Sequence, residues 1–519
     1  MSIRVRLWLA LLFLVNLAQG ASPGNAPPLP IAGARLVNVS TEPQLQSAMG
    51  NLQNGDTILL ADGAYNLTST LHIKGRNNIT IRGAAGSTNV VLVGKGMDNS
   101  NYASVPFGVW SNGTNTTIAH LTIRDTWDNE IIFNPGAQSP LVYCVRLLNA
   151  GSQFIKSNPT DVNAGLGVNN GVVEYCWFEY TGSPPGDHGS GAGYFNGISA
   201  HAAQNWIVRG NLFKNLHNPD SAAYLWNPAV LFWRHSTGTV TEQNTFFNVD
   251  RAVAYGLDNT TPYFDHAGGV IRNNFICLAF GLMSANRKAG SDGSLIAWNS
   301  PGTQIDHNSV LLNGNEFYAV EFRFSTTTNG TARNNLSDGP VHLRDSATAT
   351  LSSNLATAVP EMFVNAAVGD LHLVASATNA IDQAPTLSTV TNDFDGERRP
   401  RGARSDIGAD EFTTNAPPSS SGVKVSGTPA GDIAHLIHWI RDPRVILDHD
   451  WAVIFGVPTR RLNEQYRRNL HRFPEDFALS PPRIYLLPLI SVLIWRRLAA
   501  AVRSRLASLP PPRRGEHIS

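Results

Sequence analysis

Six short segments in the central part of the chain share one pattern of apolar and polar positions. Each runs through alternating positions to an asparagine or cysteine at its fifth residue, and a large apolar residue usually follows two positions later. These fifth residues, called markers below, are spaced 35, 33, 30, 34 and 27 residues apart. Alternation is typical of β-strands, and a drifting repeat of this length predicts stacked coils joined by loops of variable length. The segments are VVEYCWF at 172–178, IVRGNLF at 207–213, VTEQNTF at 240–246, VIRNNFI at 270–276, QIDHNSV at 304–310 and TARNNLS at 331–337, and their markers are Cys176, Asn211, Asn244, Asn274, Asn308 and Asn335.

Three columns of this repeat predict how the coils stack. The residues two positions after the markers are large and apolar, and they predict a stack inside the coils: Phe178, Phe213, Phe246, Ile276 and Val310. The residues two positions before the markers are charged and alternate in sign: Glu174, Arg209, Glu242, Arg272, Asp306 and Arg333. Neighbouring strands lie about 4.8 Å apart, so each charge is expected to face an opposite one. Because such a column cancels its own field, we interpret it as structural, with a binding stripe as the alternative. The marker asparagines predict an interior ladder in which each amide bonds the next.

The N-terminal part of the chain predicts a targeting segment followed by a cap. Residues 1–20 combine Arg4 and Arg6 with the apolar run LWLALLFLVNLA and small residues before Ala21, a pattern typical of a secretory signal. The apolar run is about twelve residues long where a membrane span needs about twenty, so no span is predicted after signal cleavage. The stretch EPQLQSAMGNL, from residue 42, predicts a short amphipathic helix that covers the open hydrophobic end of the coils.

The formal net charge of zero is the sum of two unlike regions. Residues 1–420 hold 24 Lys+Arg and 31 Asp+Glu, a balance of −7, whereas residues 421–519 hold 15 and 8, a balance of +7. Residues 413–430 between them are rich in Pro, Ser and Gly and predict a linker. The sequence thus predicts a small basic module at 431–480 and a basic tail at 481–519 behind the coiled region.

The coiled region resembles the pectate-lyase-like superfamily of right-handed parallel β-helix proteins. The resemblance rests on the cap with NGDTILLADGAY, the N-x-F coils and the closing NDFDGERRPRGARSDIGADEF at 392–412, and it covers about 34–412. It implies an all-β fold, a single-stranded right-handed parallel β-helix or solenoid with an N-terminal helical cap, to which a small C-terminal helical module is added. The superfamily contains lyases, hydrolases, esterases, epimerases, tailspikes and proteins without known activity, so the resemblance does not fix the reaction.

Outward-facing side chains of successive coils form the candidate site, because the interior is filled. The strand before each marker strand supplies candidate catalytic residues eight to ten positions before the next marker: His201, Arg234, His235, Asp265 and His266. The same column and the flanking loops at 183–195 and 217–228 supply candidate substrate-binding residues: Tyr194, Tyr224, Trp226, Trp298 and Arg323. The alternative for each histidine is an ordinary surface residue in a capping or turn role.

Histidine, arginine and aspartate side by side suit β-elimination of an acidic polysaccharide. A cation neutralises the uronate carboxylate, a base removes the adjacent proton, and an acid protonates the departing oxygen. The resemblance implies Lys or Arg as the base, with Lys156, Lys214 and Lys288 available, and calcium is the one cofactor that it suggests. The paired aspartates and R-x-K motif of the pectin hydrolases are not found, which makes hydrolysis by two carboxylates less favoured.

Residues 440–480 resemble the phage KilA-N-like, antirepressor-associated DNA-binding domain. The runs ILDHD, FGVPTRRLNEQ, RRNLHRFPEDF and ALS follow the recurring motifs of that family, although its downstream part is missing. The resemblance implies DNA binding by a truncated module in which Arg460, Arg461, Arg467 and Arg468 contact phosphates.

The sequence therefore leads to three hypotheses of function. The first is a secreted bacterial β-helix protein, extracellular or periplasmic, that binds or cleaves an extracellular polysaccharide as a lyase. The second is a non-catalytic surface or adhesion β-helix whose outward column binds a glycan. The third places a phage-derived DNA-binding activity in the C-terminal module.

Overall fold

The computed structural model describes residues 26–413 except 32, 34, 85, 87, 186–193 and 223, and the backbone of four short strands beyond residue 437. The chain divides into two units, Met1–Asn415 and Ala416–Ser519. In the first unit, the strands of both large sheets pair in parallel, each with the strand of the next coil. This arrangement confirms the predicted parallel β-helix.

The larger sheet, called the marker sheet, contains twenty strands in two columns on either side of the marker residues. The column before the markers consists of β1 (Arg35–Val39), β2 (Asp56–Leu60), β5 (Thr80–Gly83), β8 (Thr117–Arg124), β10 (Leu141–Leu148), β12 (Val172–Glu174), β15 (Ile207–Arg209), β19 (Val240–Glu242), β23 (Val270–Arg272), β26 (Gln304–Asp306), β29 (Gly330–Arg333) and β32 (Ala349–Ser352). The column after them consists of β3 (Gly63–Asn66), β6 (Val90–Val93), the second halves of β8 and β10, β13 (Trp177–Glu179), β16 (Leu212–Lys214), β20 (Thr245–Phe247), β24 (Phe275–Cys277), β27 (Ser309–Leu311) and β30 (Leu336–Ser337).

The second sheet contains ten strands and closes the other side of each coil. Its strands are β4 (Leu71–Ile73), β7 (Val109–Ser111), β9 (Ile131–Phe133), β11 (Ile155–Ser157), β14 (Ile198–His201), β17 (Pro228–Trp233), β21 (Arg251–Tyr255), β25 (Gly293–Trp298), β28 (Tyr318–Arg323) and β31 (Val341–Arg344). A two-stranded sheet of β18 (Ser236–Thr237) and β22 (His266–Ala267) lies in the turns between the two large sheets. A short helix, α2 (Ala285–Ala289), follows β24.

The predicted asparagine ladder is present and continues one coil further than the repeat suggested. The Nδ2 amide of Asn211 donates to Oδ1 of Asn244 at 2.9 Å, and the same bond recurs from coil to coil as far as Asn354. The residue before each marker has a positive φ, as at Gln243 (57°) and Asn273 (52°), so the chain turns sharply there. The marker amide satisfies backbone groups inside this turn, which explains why asparagine recurs.

The predicted inward stack is also confirmed. Phe178, Phe213 and Phe246 are fully buried, with stacked rings 4.5 and 4.9 Å apart. Ile276 and Val310 continue the column in the following coils. Each buried aromatic ring removes a large apolar area from water, and the stack gives neighbouring coils a fixed register.

The alternating charges pair as predicted. Arg209 bridges Glu174 (2.9 Å) and Glu242 (2.7 Å), and Arg272 contacts the second oxygen of Glu242 at 2.7 Å. Further along the column, Arg333 pairs with Asp306. This charge column is thus neutralised within the protein, as its structural interpretation requires.

The predicted N-terminal cap is helix α1 (Glu42–Gly50). Thr41 caps it by accepting the backbone N–H of Gln44, and Leu45 and Met49 are buried in the same core as the first coils. The helix therefore covers the hydrophobic end of the solenoid.

At the other end, residues 355–413 fold against the outer face of the marker sheet. They contain the hairpin of β33 (Phe363–Asn365) and β34 (Asp370–Leu373), with the 3-10 turns Pro360–Met362 and Ala366–Val368. Phe394 stacks on the outward ring of Phe275 at 3.8 Å, and Leu371 and Ile407 belong to the same buried cluster. We call residues 355–413 the C-terminal wrap.

In the second unit the structure describes β35 (His438–Trp439), β36 (Arg444–Leu447), β37 (Ala478–Leu479) and β38 (Ile494–Arg496), which pair antiparallel. These positions are extended, where the sequence predicted a helical module. The predicted signal at 1–20 and all but the first residue of the linker at 413–430 lie outside the described residues. Within the part of the chain that is described, no helix has both the length and the apolar character needed to cross a membrane.

Candidate functional site

Three neighbouring strands of the ten-stranded sheet bring a lysine, a histidine and an arginine together on its outer face. Alternation along β14 turns Ile198 and Ala200 into the core, so Ser199 and His201 point outward. Lys156 of β11 is the register partner of Ser199, and its Nζ lies 3.1 Å from Ser199 Oγ and 3.1 Å from His201 Nε2. One position of the predicted column, His201, thus meets a residue that the sequence had named only as an available base.

Strand β17 adds an aromatic platform and the second cation. Trp233 is the register partner of His201, and the two rings meet edge to face at 5.0 Å. The chain leaves the strand at Arg234 with a φ of 50°, which places the guanidinium over the Trp233 ring at 4.6 Å. This cation–π contact holds Arg234 beside Lys156 and His201, whose pKa values its charge lowers. We call Lys156, Ser199, His201, Trp233 and Arg234 the Lys156 group.

Neither cation of this group has an acidic partner in the described part of the chain. Among the residues that the structure describes, Lys156 and Arg234 form no ion pair, and the buried Nε of Arg234 has no hydrogen-bond partner. Asp128 and Asp258 influence the group only at longer range, through Lys156 and Arg234 respectively. Partly buried charges are normally paired, so an uncompensated pair of cations indicates a site for an anion.

Burial and mutual repulsion shift the protonation of this group. Burial, with the nearby charge of Arg234, lowers the pKa of Lys156 to about 8. Burial and the charges of Lys156 and Arg234 lower the pKa of His201 to about 2. At neutral pH His201 is therefore uncharged with Nε2 as the acceptor toward Lys156, and about a tenth of Lys156 is unprotonated.

Two of the tyrosines named from the sequence contact each other, and one of them, Tyr194, lies near enough to Arg234 to feel its charge. The rings of Tyr194 and Tyr224 meet edge to face at 5.4 Å, and Tyr224 is 44% exposed. Burial raises the pKa of Tyr194, and the positive charge of Arg234 partly opposes this rise. Residues 186–193 of the predicted wall lie outside the described part.

His235 lies next to the group but is held by its surroundings. Its ring stacks on Tyr263 at 4.5 Å, and its Nδ1 donates to the carbonyl oxygen of Val162 at 3.1 Å. Gly165 packs against the same ring, where a Cβ would lie 3.3 Å from it. The structure thus places His235 as a support between two loops.

Asp265 and His266 do not face outward, which corrects the predicted column. Both side chains are fully buried. Asp265 accepts three backbone N–H groups, from Arg234 (2.7 Å), Leu257 (2.6 Å) and Asp258 (2.8 Å). The reason is that these residues occupy the corner between the two sheets. The strand alternation is broken there, so the number of residues to the next marker does not predict whether a side chain points inward or outward. Asp265 therefore positions the loop that carries Asp258 and the backbone of Arg234.

His266 is an interior residue in a neutral state. Its ring stacks on Tyr255 at 4.3 Å, and its two nitrogens bond Ser300 Oγ (3.2 Å) and Thr239 Oγ1 (3.1 Å). Burial lowers its pKa to about 3. With both nitrogens occupied inside the coil, the imidazole is closed to a ligand on the outer face.

Trp298 and Arg323 form a second group, three and four strands beyond β14. Trp298 is 7% exposed, with Arg323 over its ring at 4.6 Å and Arg344 at 5.5 Å. Here the cations are paired: Arg323 with Asp345 at 2.6 Å and Arg344 with Asp292 at 2.8 Å. Trp233 on β17 and Trp298 on β25 are two strands apart, about 10 Å by strand spacing, and only the first group leaves its cations unpaired among the described residues. The predicted column is therefore not one uniform site.

Trp226 supports a loop. The guanidinium of the buried Arg287 lies over its ring at 5.3 Å, in a cation–π contact, and its carbonyl oxygen accepts a hydrogen bond from Arg251 at 3.1 Å. Arg287 also donates to the carbonyl oxygens of Asn218 and Leu225, which ties this loop to helix α2. The tryptophan therefore fixes the segment from which Tyr224 projects.

The Lys156 group does not fit a calcium ion. Calcium requires six to eight oxygen ligands, whereas this group presents an ammonium, an imidazole and a guanidinium. No step is therefore assigned to calcium.

The sequence reasoning missed Trp233 and did not rank Lys156 above the other lysines. Trp233 directly precedes Arg234 and His235, so strand alternation alone would have placed it outward beside His201. Lys156 precedes the marker Cys176 by twenty residues rather than ten, because the loop around Asp161–Leu166 intervenes.

Comparisons with known proteins give one family match and several likenesses of structure. Residues 435–482 match the ORF6N domain family, in the segment that resembles the KilA-N-like domain. Arg460, Arg461, Arg467 and Arg468 fall in that match but lie outside the described residues. No curated protein matches the chain.

Three solved structures illustrate the likeness of the β-helix. An alginate lyase from Paenibacillus sp. str. FPU-7 is 17% identical, with 62% of this chain and 99% of that one covered and a TM-score of 0.41. Pectate lyase Pel9A is 14% identical, with 76% and 99% covered and a TM-score of 0.40. PfbA, a surface adhesin of Streptococcus pneumoniae, is 13% identical, with 60% and 84% covered and a TM-score of 0.41. All three TM-scores are below 0.5, and the fold assignment rests on the strand pairing described above.

Proposed function

We propose that the β-helix binds an acidic polysaccharide at the Lys156 group and cleaves it by β-elimination. The observation that carries the proposal is the pair of partly buried cations, Lys156 and Arg234, that lack an acidic partner among the described residues. A uronate carboxylate supplies the missing negative charge. The secretory signal predicted at 1–20 would direct the protein to an extracellular or periplasmic compartment, where such a polysaccharide would be its substrate.

The proposed reaction uses three side chains of the site. Arg234 pairs with the uronate carboxylate and stabilises the negative charge that develops when the adjacent proton leaves. The unprotonated Nζ of Lys156 takes that proton, and the electron pair forms the C4–C5 double bond as the C4–O4 bond breaks. Tyr194, whose raised pKa keeps its hydroxyl protonated, donates its proton to O4. Solvent then returns Lys156 and Tyr194 to their starting states.

The test is incubation of the full chain with polymers of mannuronate, guluronate, galacturonate and glucuronate, and with a neutral glucan. We expect ultraviolet absorbance of an unsaturated product with at least one uronate polymer and none with the glucan. Lys156→Met should abolish product formation, because methionine keeps the length but has no base. Lys214→Met is the matched control, since Lys214 pairs with Glu179 on the marker sheet.

The adhesion hypothesis makes a different prediction for the same experiment. A non-catalytic glycan binder retains the polymer and loses it in Arg234→Met, but releases no unsaturated product from any polymer. Absence of both binding and product across the panel contradicts the proposal.

A second function is favoured by the ORF6N match at 435–482. We propose that this segment binds duplex DNA through Arg460, Arg461, Arg467 and Arg468. The affinity of the full chain for duplex DNA should fall steeply with salt, and replacement of Arg460 and Arg461 by glutamine should reduce that salt dependence. Equal binding by the arginine variant at low salt contradicts this assignment.

A further inference from the structure

The C-terminal wrap contains a histidine surrounded by carboxylates that the proposed reaction does not use. His372 lies on β34, and Asp370 precedes it by two residues on the same strand. Asp395 belongs to the turn after Phe394, and Asp410 lies near the end of the wrap. Three separate stretches of the wrap thus converge on one imidazole.

Both nitrogens of the imidazole face carboxylates. Nδ1 donates to Asp370 Oδ1 at 2.5 Å, and Nε2 lies 2.7 Å from Asp395 Oδ2. One ligating atom each of His372, Asp395 and Asp410 lies within 4.8 Å of the other two. When a histidine binds a metal through one nitrogen, its other N–H commonly donates to a carboxylate, which is the role that Asp370 has here.

The ring is held in place by aromatic packing. Phe275 and Phe394 both meet the imidazole edge to face, at 5.0 Å and 5.6 Å. These contacts fix the direction of Nε2 and lower the local dielectric on one side of it. A ligand set that is oriented before binding loses less entropy when the ion arrives.

Three carboxylates, those of Asp370, Asp395 and Asp410, lie around the imidazole. Asp410 is 6% exposed, and the charges of His372 and Arg399 both act on it. One oxygen of Asp410 accepts the backbone N–H of Leu373 at 2.7 Å, and the other has no hydrogen-bond partner in the described part of the chain. A carboxylate oxygen that no donor occupies, in one cluster with His372 and Asp395, is available as a ligand atom for a cation.

We propose that Nε2 of His372 and carboxylate oxygens of Asp395 and Asp410 bind a divalent first-row transition ion, with Asp370 orienting the histidine. A mixed imidazole and carboxylate set suits Zn²⁺ or Mn²⁺ better than Ca²⁺, which takes oxygen ligands alone. If His372 is doubly protonated beforehand, binding releases its Nε2 proton to solvent. The ion crosslinks the hairpin, the turn and the end of the wrap on the marker sheet.

The experiment uses the full chain after removal of metals with a chelator. Calorimetric titration with Zn²⁺ should give one ion per chain, and Zn²⁺ should raise the Tm of the chelated protein. Asp410→Asn and His372→Gln should each weaken Zn²⁺ binding more than 100-fold, and Asp370→Asn about 10- to 100-fold because it disturbs only the orientation of the histidine. His342→Gln is the control, since His342 stacks on Tyr318 in the ten-stranded sheet, away from this cluster.

Co²⁺ provides a readout that does not depend on the variants folding. Its visible absorption in the wild-type chain should be that of a nitrogen and oxygen site, and Zn²⁺ should displace it stoichiometrically. The proposal is overturned if the chelated chain binds no Zn²⁺ stoichiometrically, if Ca²⁺ binds more tightly than Zn²⁺, or if His372→Gln and Asp410→Asn both leave the affinity unchanged.

Discussion

The charge column of the marker sheet and the Lys156 group of the ten-stranded sheet are built from the same material, charged side chains on stacked parallel strands. In the column, Arg209 and Arg272 both contact Glu242, and Arg333 pairs with Asp306, so each arginine has an acidic partner in a neighbouring coil. In the Lys156 group, Lys156 and Arg234 have no ion-pair partner in the described residues. Stacking alone therefore does not make an anion site; the proposed site depends on cations that have no acidic partner among the described residues.

The largest expected effect comes from making the Lys156 group resemble the column. Ser199 Oγ lies 3.1 Å from Lys156 Nζ, so Ser199→Asp places a carboxylate against the proposed base. A neighbouring opposite charge raises a lysine pKa by about 1 to 3 units, which lowers the unprotonated fraction at pH 7 and the rate of product formation about 100-fold. Ser199→Asn, of the same shape without the charge, should keep most of the rate. Equal rates in the two variants would refute a role for Lys156 as a base.

The second effect comes from making the column resemble the Lys156 group. Glu242→Gln removes a carboxylate shared by two arginines, and we expect a loss of about 2 kcal/mol of unfolding free energy. That figure is below the cost for a fully buried pair, because Arg209 and Arg272 are about a third exposed (33% and 27%). Chemical denaturation measures it, and Asp345→Asn, at an exposed pair, should change the midpoint little. An unchanged midpoint for Glu242→Gln would mean that the alternation is not structural.

The pH dependence of cleavage provides the third test. The lowered pKa of about 8 belongs to Lys156, and only its unprotonated form accepts a proton. The rate should therefore rise about tenfold per pH unit below pH 8 and level off above it. Measurement of the initial rate from pH 6 to 10 tests this, and the rise should move to higher pH in Ser199→Asp. A rate that falls between pH 6 and 8 contradicts the assignment.

The sequence predicted the marker sheet far better than the site. The marker asparagines and the stack of Phe178, Phe213 and Phe246 lie at fixed distances from a turn that recurs in each coil, so a linear alignment places them correctly. The ten-stranded sheet is reached through loops of variable length. A prediction based on the distance from the marker therefore placed Asp265 and His266 on the outer face, whereas both are buried in the corner. The same distance rule missed Lys156, because a long loop separates Lys156 from its marker.

His201 gives the smallest and most discriminating effect. Its Nε2 accepts from Lys156 at 3.1 Å, and its pKa of about 2 keeps the imidazole neutral throughout the pH range of the assay. His201→Gln retains a hydrogen-bond acceptor for Lys156 and should change the rate only a few-fold. His201→Phe removes the acceptor and should lower the rate further, because an unmade hydrogen bond of this kind costs about 1 to 3 kcal/mol. Neither variant should change the number of ionisations in the pH profile, because the histidine does not titrate there. An additional inflection near pH 6.5 in the wild-type profile that disappears in His201→Gln would show that His201 itself exchanges the proton, and the role assigned to Lys156 would then pass to the histidine.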